Sequence, residues 1–241
     1  MKAEFLDDFL SHAKSQHHGY ELYTLELPEW RPLLMELTEF LSAEEKDQIP
    51  KKIVSVREQF ICGHGILRHL LSQRINRPPQ TIDFKTNPWS KPYLSKTDHP
   101  QSPYFNISHD KDKVLIGVSE NREIGVDIMY IEEKRDILEI AKRYYSKSEQ
   151  DFLFRQSGFE QYKSFYYIFC QKEALIKAHG QGLSLGLEKF SVEPDPAKKP
   201  RVIDYPPQEQ LFGRAVLEAP FEITKSIAIV CLVPPDQSNG S

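Results

Sequence analysis

The chain reads as an α+β protein. Segments with strand-like alternation and segments with helical spacing come in mixed groups, without the regular βαβ order of a doubly wound sheet. The turn near Asn121 divides the 241 residues nearly in half, into 1–121 and 122–241, with both kinds of segment on each side. Apolar residues make up 39 % and charged residues 27 %, a globular balance. The residues alone leave one domain or two open.

Residues 20–27 alternate apolar and polar as a strand does, and Pro28 stops them. Ser42 to Glu45 and Ser55 to Glu58 each pair a hydroxyl with a glutamate three residues on, the capping-box spacing. The second opens a helical run through Phe60, Ile61, Leu67, Leu70, Leu71 and Ile75. Gly63 and Gly65 inside it read as close packing against another element. Pro78-Pro79 ends the run, and strand-like pieces follow at 81–84, 104–107, 114–119 and 124–131. Residues 120–123 read as a hairpin turn joining the last two. Residues 133–145 look helical, Ser146 to Glu149 is a third capping box, and 160–179 is a longer helix ended by Gly180 and Gly182. Strand candidates at 189–193, 214–217 and 226–233 surround a proline-rich loop at 194–207, and the tail after Val233 is expected to fray.

The formal charge is −4, from 31 basic and 35 acidic residues. Duplex nucleic acid is bound mainly by neutralising phosphates, and this chain has no basic excess for that. Cys62, Cys170 and Cys231 form no CxxC, which points to a reducing compartment. The first residues carry acids where a signal peptide needs an apolar run, and the apolar stretch at 227–233 is too short to span a bilayer. The expectation is a cytoplasmic protein without a membrane or nucleic-acid partner.

Three segments can carry chemistry. In 169–177 (FCQKEALIK), Glu173 and Lys177 lie one helical turn apart on an otherwise apolar helix. The bland reading is a surface ion pair; the sharper one is a metal and a phosphate at an apolar rim. In 124–128 (IGVDI), Asp127 sits inside an apolar strand, where a charge is costly without a partner, and Gly125 permits close backbone approach. In 105–110 (FNISHD), Ser108, His109 and Asp110 leave a strand end together. Jointly they suit a hard cation and a phosphate. P-loop, GxSxG and zinc spacings are absent from the sequence.

FNISH (105–109), IGVDI (124–128) and KEALIK (172–177), in this order and spacing, resemble the 4′-phosphopantetheinyl transferases of the Sfp type. Lys91-Pro92-Tyr93 and GQGLSL (180–185) extend the likeness. The resemblance implies a pseudo-dimer of two similar α+β halves in one chain, and a monomer. It implies Mg²⁺-dependent transfer of the phosphopantetheine arm of coenzyme A to a serine of an apo acyl, peptidyl or aryl carrier protein, leaving 3′,5′-ADP. Asp127 and Glu173 would hold Mg²⁺, Glu173 would serve as base, and Lys177 would contact the phosphate under attack. Lys172 would support the pyrophosphate; Lys91, Ser108 and His109 would bind coenzyme A phosphates.

Two departures matter. Many relatives place a second carboxylate two residues after the aspartate; here that residue is Met129, a poor ligand for a hard cation. Asp110 is expected to replace it. Relatives also place an arginine before the Gly63 position; here Gln59 stands there, with Arg57 nearby and Lys46, Lys51 and Lys52 as other basic candidates for the 3′-phosphate. A lip for the carrier protein is expected at Tyr144, Tyr145 and Lys147 and along 152–167. Rival readings are a Mg²⁺-dependent nuclease, a coenzyme-A-binding module without catalysis, and, least favoured, a cysteine hydrolase at Cys170.

Overall fold

A computed structural model describes residues 2–133 and 136–234. The chain forms two compact units, Met1–Asn87 with Pro92–Asn121, and Pro88–Lys91 with Arg122–Ser241. Among the described residues no helix is long and apolar enough to cross a membrane.

In the first unit, α1 (Lys2–Ala13) leads into β1 (Lys14–His17) and β2 (Tyr20–Glu26). Pro28 closes β2 because its fixed φ suits the first turn of α2 (Leu27–Trp30). The short helices α3 (Leu34–Glu39) and α4 (Ala43–Lys46) follow, the latter opened by the Ser42–Glu45 capping box. Next comes the 22-residue α5 (Val54–Ile75), ended by Asn76 in the left-handed region. Then come β3 (Lys85–Thr86), β4 (Pro92–Tyr93), β5 (Tyr104–Asp110) and β6 (Lys113–Ser119). The main sheet is antiparallel with order β1-β2-β6-β5. Helix α5 packs on it, with Gly63 against Ile107 and Val114 and Gly65 against the backbone of Leu37. Both helical glycines are therefore close-packing positions.

The second unit repeats this plan of a 22-residue helix on an antiparallel sheet. Its elements are β7 (Glu123–Tyr130), α6 (Ile137–Tyr144), α7 (Lys147–Leu153), α8 (Gly158–His179), β8 (Ser191–Val192), β9 (Val202–Asp204), α9 (Gln210–Gly213), β10 (Val216–Glu218) and β11 (Ser226–Val233). The sheet order is β10-β11-β7, with Asp127 opposite Ile229. Ile124, Val126 and Ile128 share one face of β7 and Gly125 and Asp127 the other, and all five are buried. Gly180, with φ 87°, ends α8. The fold class is α+β, as expected.

Four local expectations are corrected. Residues 120–122 form no hairpin turn, because β6 and β7 belong to different sheets. Ser55 is not a cap; α5 begins one residue earlier, and Ile53 accepts the Arg57 N–H at 2.8 Å. The piece at 81–84 is not a strand, since a 3₁₀ turn over Pro79–Thr81 precedes it and pairing starts only at Lys85. The proline-rich loop contains β9, paired with β8. In the tail expected to fray, residues 235–241 lie outside the described residues.

Candidate active site

The site grows from the crossing of α8 over β7. Gly125 makes that crossing close. A Cβ built there would lie 2.1 Å from the carbonyl oxygen of Ala174 and 2.3 Å from the nitrogen of Ala178. Side chains two residues apart on a strand share a face. Asp127 therefore faces α8, as Gly125 does, and is buried. The Lys177 ammonium donates to Asp127 Oδ1 at 2.6 Å and to the Val126 carbonyl at 3.2 Å.

Glu173 lies one turn before Lys177 on α8. Burial pushes its carboxyl up, the Asp127 charge adds to the rise, and Lys177 partly opposes it. Burial works to lower Lys177, but the charges of Asp127 and Glu173 outweigh it and hold the amine above its ordinary value. Glu173 also lines a cavity of about 260 Å³, walled by Ile140 and Tyr144 of α6, Phe165 and Phe169 of α8, Leu183 and Leu187. Glu173 thus lines the apolar cavity, and one turn further along α8 the Lys177 ammonium is paired with Asp127.

Among the described residues, no group of three or more His, Cys, Asp or Glu side chains gathers in a metal-holding arrangement. The local donors are two carboxylates whose charges act on each other. That set fits Mg²⁺, which is commonly bound through one or two carboxylates and completes its octahedron with water and substrate phosphate. Met129 shares the face of Asp127 and packs on the second-unit core.

The remaining expected residues fall as follows. Lys172 is a correction. Its side chain is wholly buried, and its ammonium meets the carbonyls of Leu187 at 2.6 Å and Phe190 at 2.5 Å and the carboxylate of Glu149 at 2.9 Å. Three acceptors occupy the three N–H donors, so Lys172 cannot reach a pyrophosphate. Burial pushes Glu149 up and Lys172 down, and each partner's charge pulls the other back. Lys91 donates to Glu123 at 2.6 Å and to the carbonyl of Ala178 at 3.0 Å, which ties the end of α8 to the start of β7.

Ser108, His109 and Asp110 belong to the first unit. They do not leave a strand end, because β5 runs on to Asp110. Ser108 is buried, His109 is exposed, and as strand neighbours they project to opposite faces. Arg57 donates to the Lys52 carbonyl at 3.1 Å, and Gln59 to the Lys111 carbonyl at 2.7 Å. Tyr145 is no surface lip; it is buried and its hydroxyl donates to the Phe165 carbonyl at 2.6 Å. Lys147 is exposed and paired with Asp151. Cys170 is buried beneath β7, and burial pushes its thiol far up, which leaves no thiolate for hydrolase chemistry.

Two features escaped the reading of the residues. The cavity wall joins α6 and α8 to Leu183 and Leu187, which no local pattern connects. Glu149 signalled only a capping box, although its carboxylate also faces Lys172.

Comparison with known proteins identifies the family. The family model described as the 4′-phosphopantetheinyl transferase superfamily matches residues 123–229. A second, described as 4′-phosphopantetheinyl transferase, N-terminal, matches residues 28–121. The chain is 34 % identical to the 4′-phosphopantetheinyl transferase Sfp of Bacillus subtilis over 168 residues, covering 67 % of this chain and 72 % of the relative. It is 30 % identical to the 4′-phosphopantetheinyl transferase HetI of a Nostoc species, covering 59 % and 60 %. It is also 30 % identical to the 4′-phosphopantetheinyl transferase gsp of Aneurinibacillus migulanus, covering 64 % of each. This chain belongs to the 4′-phosphopantetheinyl transferase family.

Proposed function

We propose that the chain transfers the 4′-phosphopantetheine arm of coenzyme A to a serine of an apo carrier protein through Asp127, Glu173 and Lys177. The observation that carries the assignment of roles is the Lys177–Asp127 contact of 2.6 Å, with Glu173 one turn away on the wall of an apolar cavity. Asp127 and Glu173 are the residues that would hold Mg²⁺, which supplies charge neutralisation at a diphosphate.

The serine oxygen attacks the phosphorus that carries the pantetheine arm. A new P–O bond forms, the bond to the bridging oxygen breaks, and 3′,5′-ADP leaves with that electron pair. The carboxylate of Glu173 accepts the serine proton. The Lys177 ammonium stays charged and offsets negative charge on the phosphoryl oxygens. Asp127 orients that ammonium. Aromatic and aliphatic walls beside Glu173 keep water from competing with the serine.

Asp110 is the carboxylate that the sequence offers in place of Met129. Asp110→Ala should then raise the Mg²⁺ concentration for half-maximal turnover by about tenfold or more; an unchanged Mg²⁺ dependence would remove Asp110 from the set. The assignment as a whole is tested by chromatographic detection of 3′,5′-ADP from coenzyme A, Mg²⁺, an apo carrier protein and this chain. Release that depends on the carrier serine supports it. Coenzyme A binding without release of 3′,5′-ADP would overturn it in favour of a binding module.

A further inference from the structure

We propose that Lys172 and Glu149 form a positioning device that holds the cavity wall beside Glu173. Both side chains are buried to within 1 % exposure. Lys172 immediately precedes Glu173, so whatever fixes Lys172 fixes the rotation of α8 at the catalytic carboxylate. Its ammonium grips the carbonyls of Leu187 and Phe190, and Leu187 lines the cavity with Glu173. The opposite partner extends the grip. Glu149 accepts the N–H of Val192 at 2.7 Å on one oxygen and that of Ser146 at 2.8 Å on the other. One buried pair thus joins the start of α7, the middle of α8 and the segment 187–192.

A pair retained only for stability is a poor choice chemically. Two desolvated charges usually stabilise no more than well-packed neutral groups of the same volume. What the pair adds is direction: a three-way fork on the lysine and a two-oxygen acceptor on the glutamate set the segment carrying Leu187 at one distance from α8. Lys172 touches no phosphate in this scheme and acts through Glu173 and Leu187.

The proposal rests on Glu173 being the base, and its test separates the two claims. Lys172→Met alone leaves a buried carboxylate without its ammonium and should lower the melting temperature. The double variant Lys172→Met/Glu149→Gln removes both charges and should recover most of that loss. In the double variant at a temperature where it is folded, kcat should fall about 10–100-fold, with KM for coenzyme A unchanged within about twofold. Hydrogen exchange at the amides of 183–192 should accelerate by about tenfold or more.

A double variant with normal kcat would reduce the pair to a dispensable structural contact. A raised KM with normal kcat would make Lys172 a substrate ligand. Unchanged exchange would sink the idea even if the unaltered chain transferred nothing, whereas absence of transfer by the unaltered chain counts against the role of Glu173 and not against the device. If the double variant folds poorly, Glu149→Gln alone keeps an acceptor for Val192, and the same readouts decide.

Discussion

Gly125 is the position where the site is most vulnerable to one methyl group. In Gly125→Ala the new Cβ would stand 2.1 Å from the Ala174 oxygen and 2.3 Å from the Ala178 nitrogen. Ordinary carbon–oxygen contact needs roughly 1 Å more than that, and both obstacles are helix backbone, so no rotamer change relieves them. Helix α8 must therefore lift from β7. Overpacking of this kind costs about 1–3 kcal/mol or more. For a chain of this size that corresponds to a melting temperature lower by about 2–12 °C. The lift also stretches the Lys177–Asp127 contact, and a displacement near 1 Å in such a constellation costs about 100-fold in turnover. Gly63→Ala is the matched control, because its Cβ meets only side-chain methyls, of Val114 at 3.3 Å and Ile107 at 3.5 Å, and its helix gains about 1 kcal/mol of propensity. The assay is thermal unfolding by circular dichroism paired with steady-state transfer. A Gly125→Ala protein with the stability and turnover of the parent would refute the argument that this crossing builds the site.

Other outcomes follow from the same contacts. Lys177→Met should lower kcat by about 100–1,000-fold, since it removes a positioned donor to the phosphoryl group; steady-state kinetics with coenzyme A check it. Glu45 is held down to about 2 because the hydrogen bonds from His64 and Arg68 overcome burial, which acts the other way. A depressed carboxyl contributes stability that is present above its unfolded value of 4.5 and lost as pH falls toward about 2. Glu45→Gln should therefore cost about 3 kcal/mol at neutral pH and flatten the stability profile across that acid window, as measured by urea unfolding from pH 2 to 7. Cys170 should stay unmodified by iodoacetamide in the native protein at pH 8, because its thiol is buried and its pKa raised; rapid labelling would contradict the burial.

The parts of the fold that the residues disclose are those governed by local chemistry. Helix α8 is legible because its apolar spacing ends on a glycine with positive φ. Asp127 is legible because a charge in an apolar strand demands a partner, and that partner is Lys177, 50 residues on. Glu173 and Lys177 are legible from their one-turn spacing. What stays hidden depends on distant chain. Turn-forming residues at 120–122 do not disclose that the strands on either side join different sheets. Lys172 looks like one more cation near a phosphate site until Glu149 and the carbonyls of Leu187 and Phe190 close around it. The strands β8, β9 and β10 span only two or three residues each, too few for alternation to show.

Intact-protein mass spectrometry gives the most direct test. An apo carrier protein is incubated with coenzyme A, Mg²⁺ and either the unaltered chain or a Glu173→Gln chain shown to be folded. The account expects the carrier to gain one phosphopantetheine arm on its serine with the unaltered chain and to remain apo with the variant. Equal modification by both would contradict the role given to Glu173, and no modification by either would contradict the transfer itself.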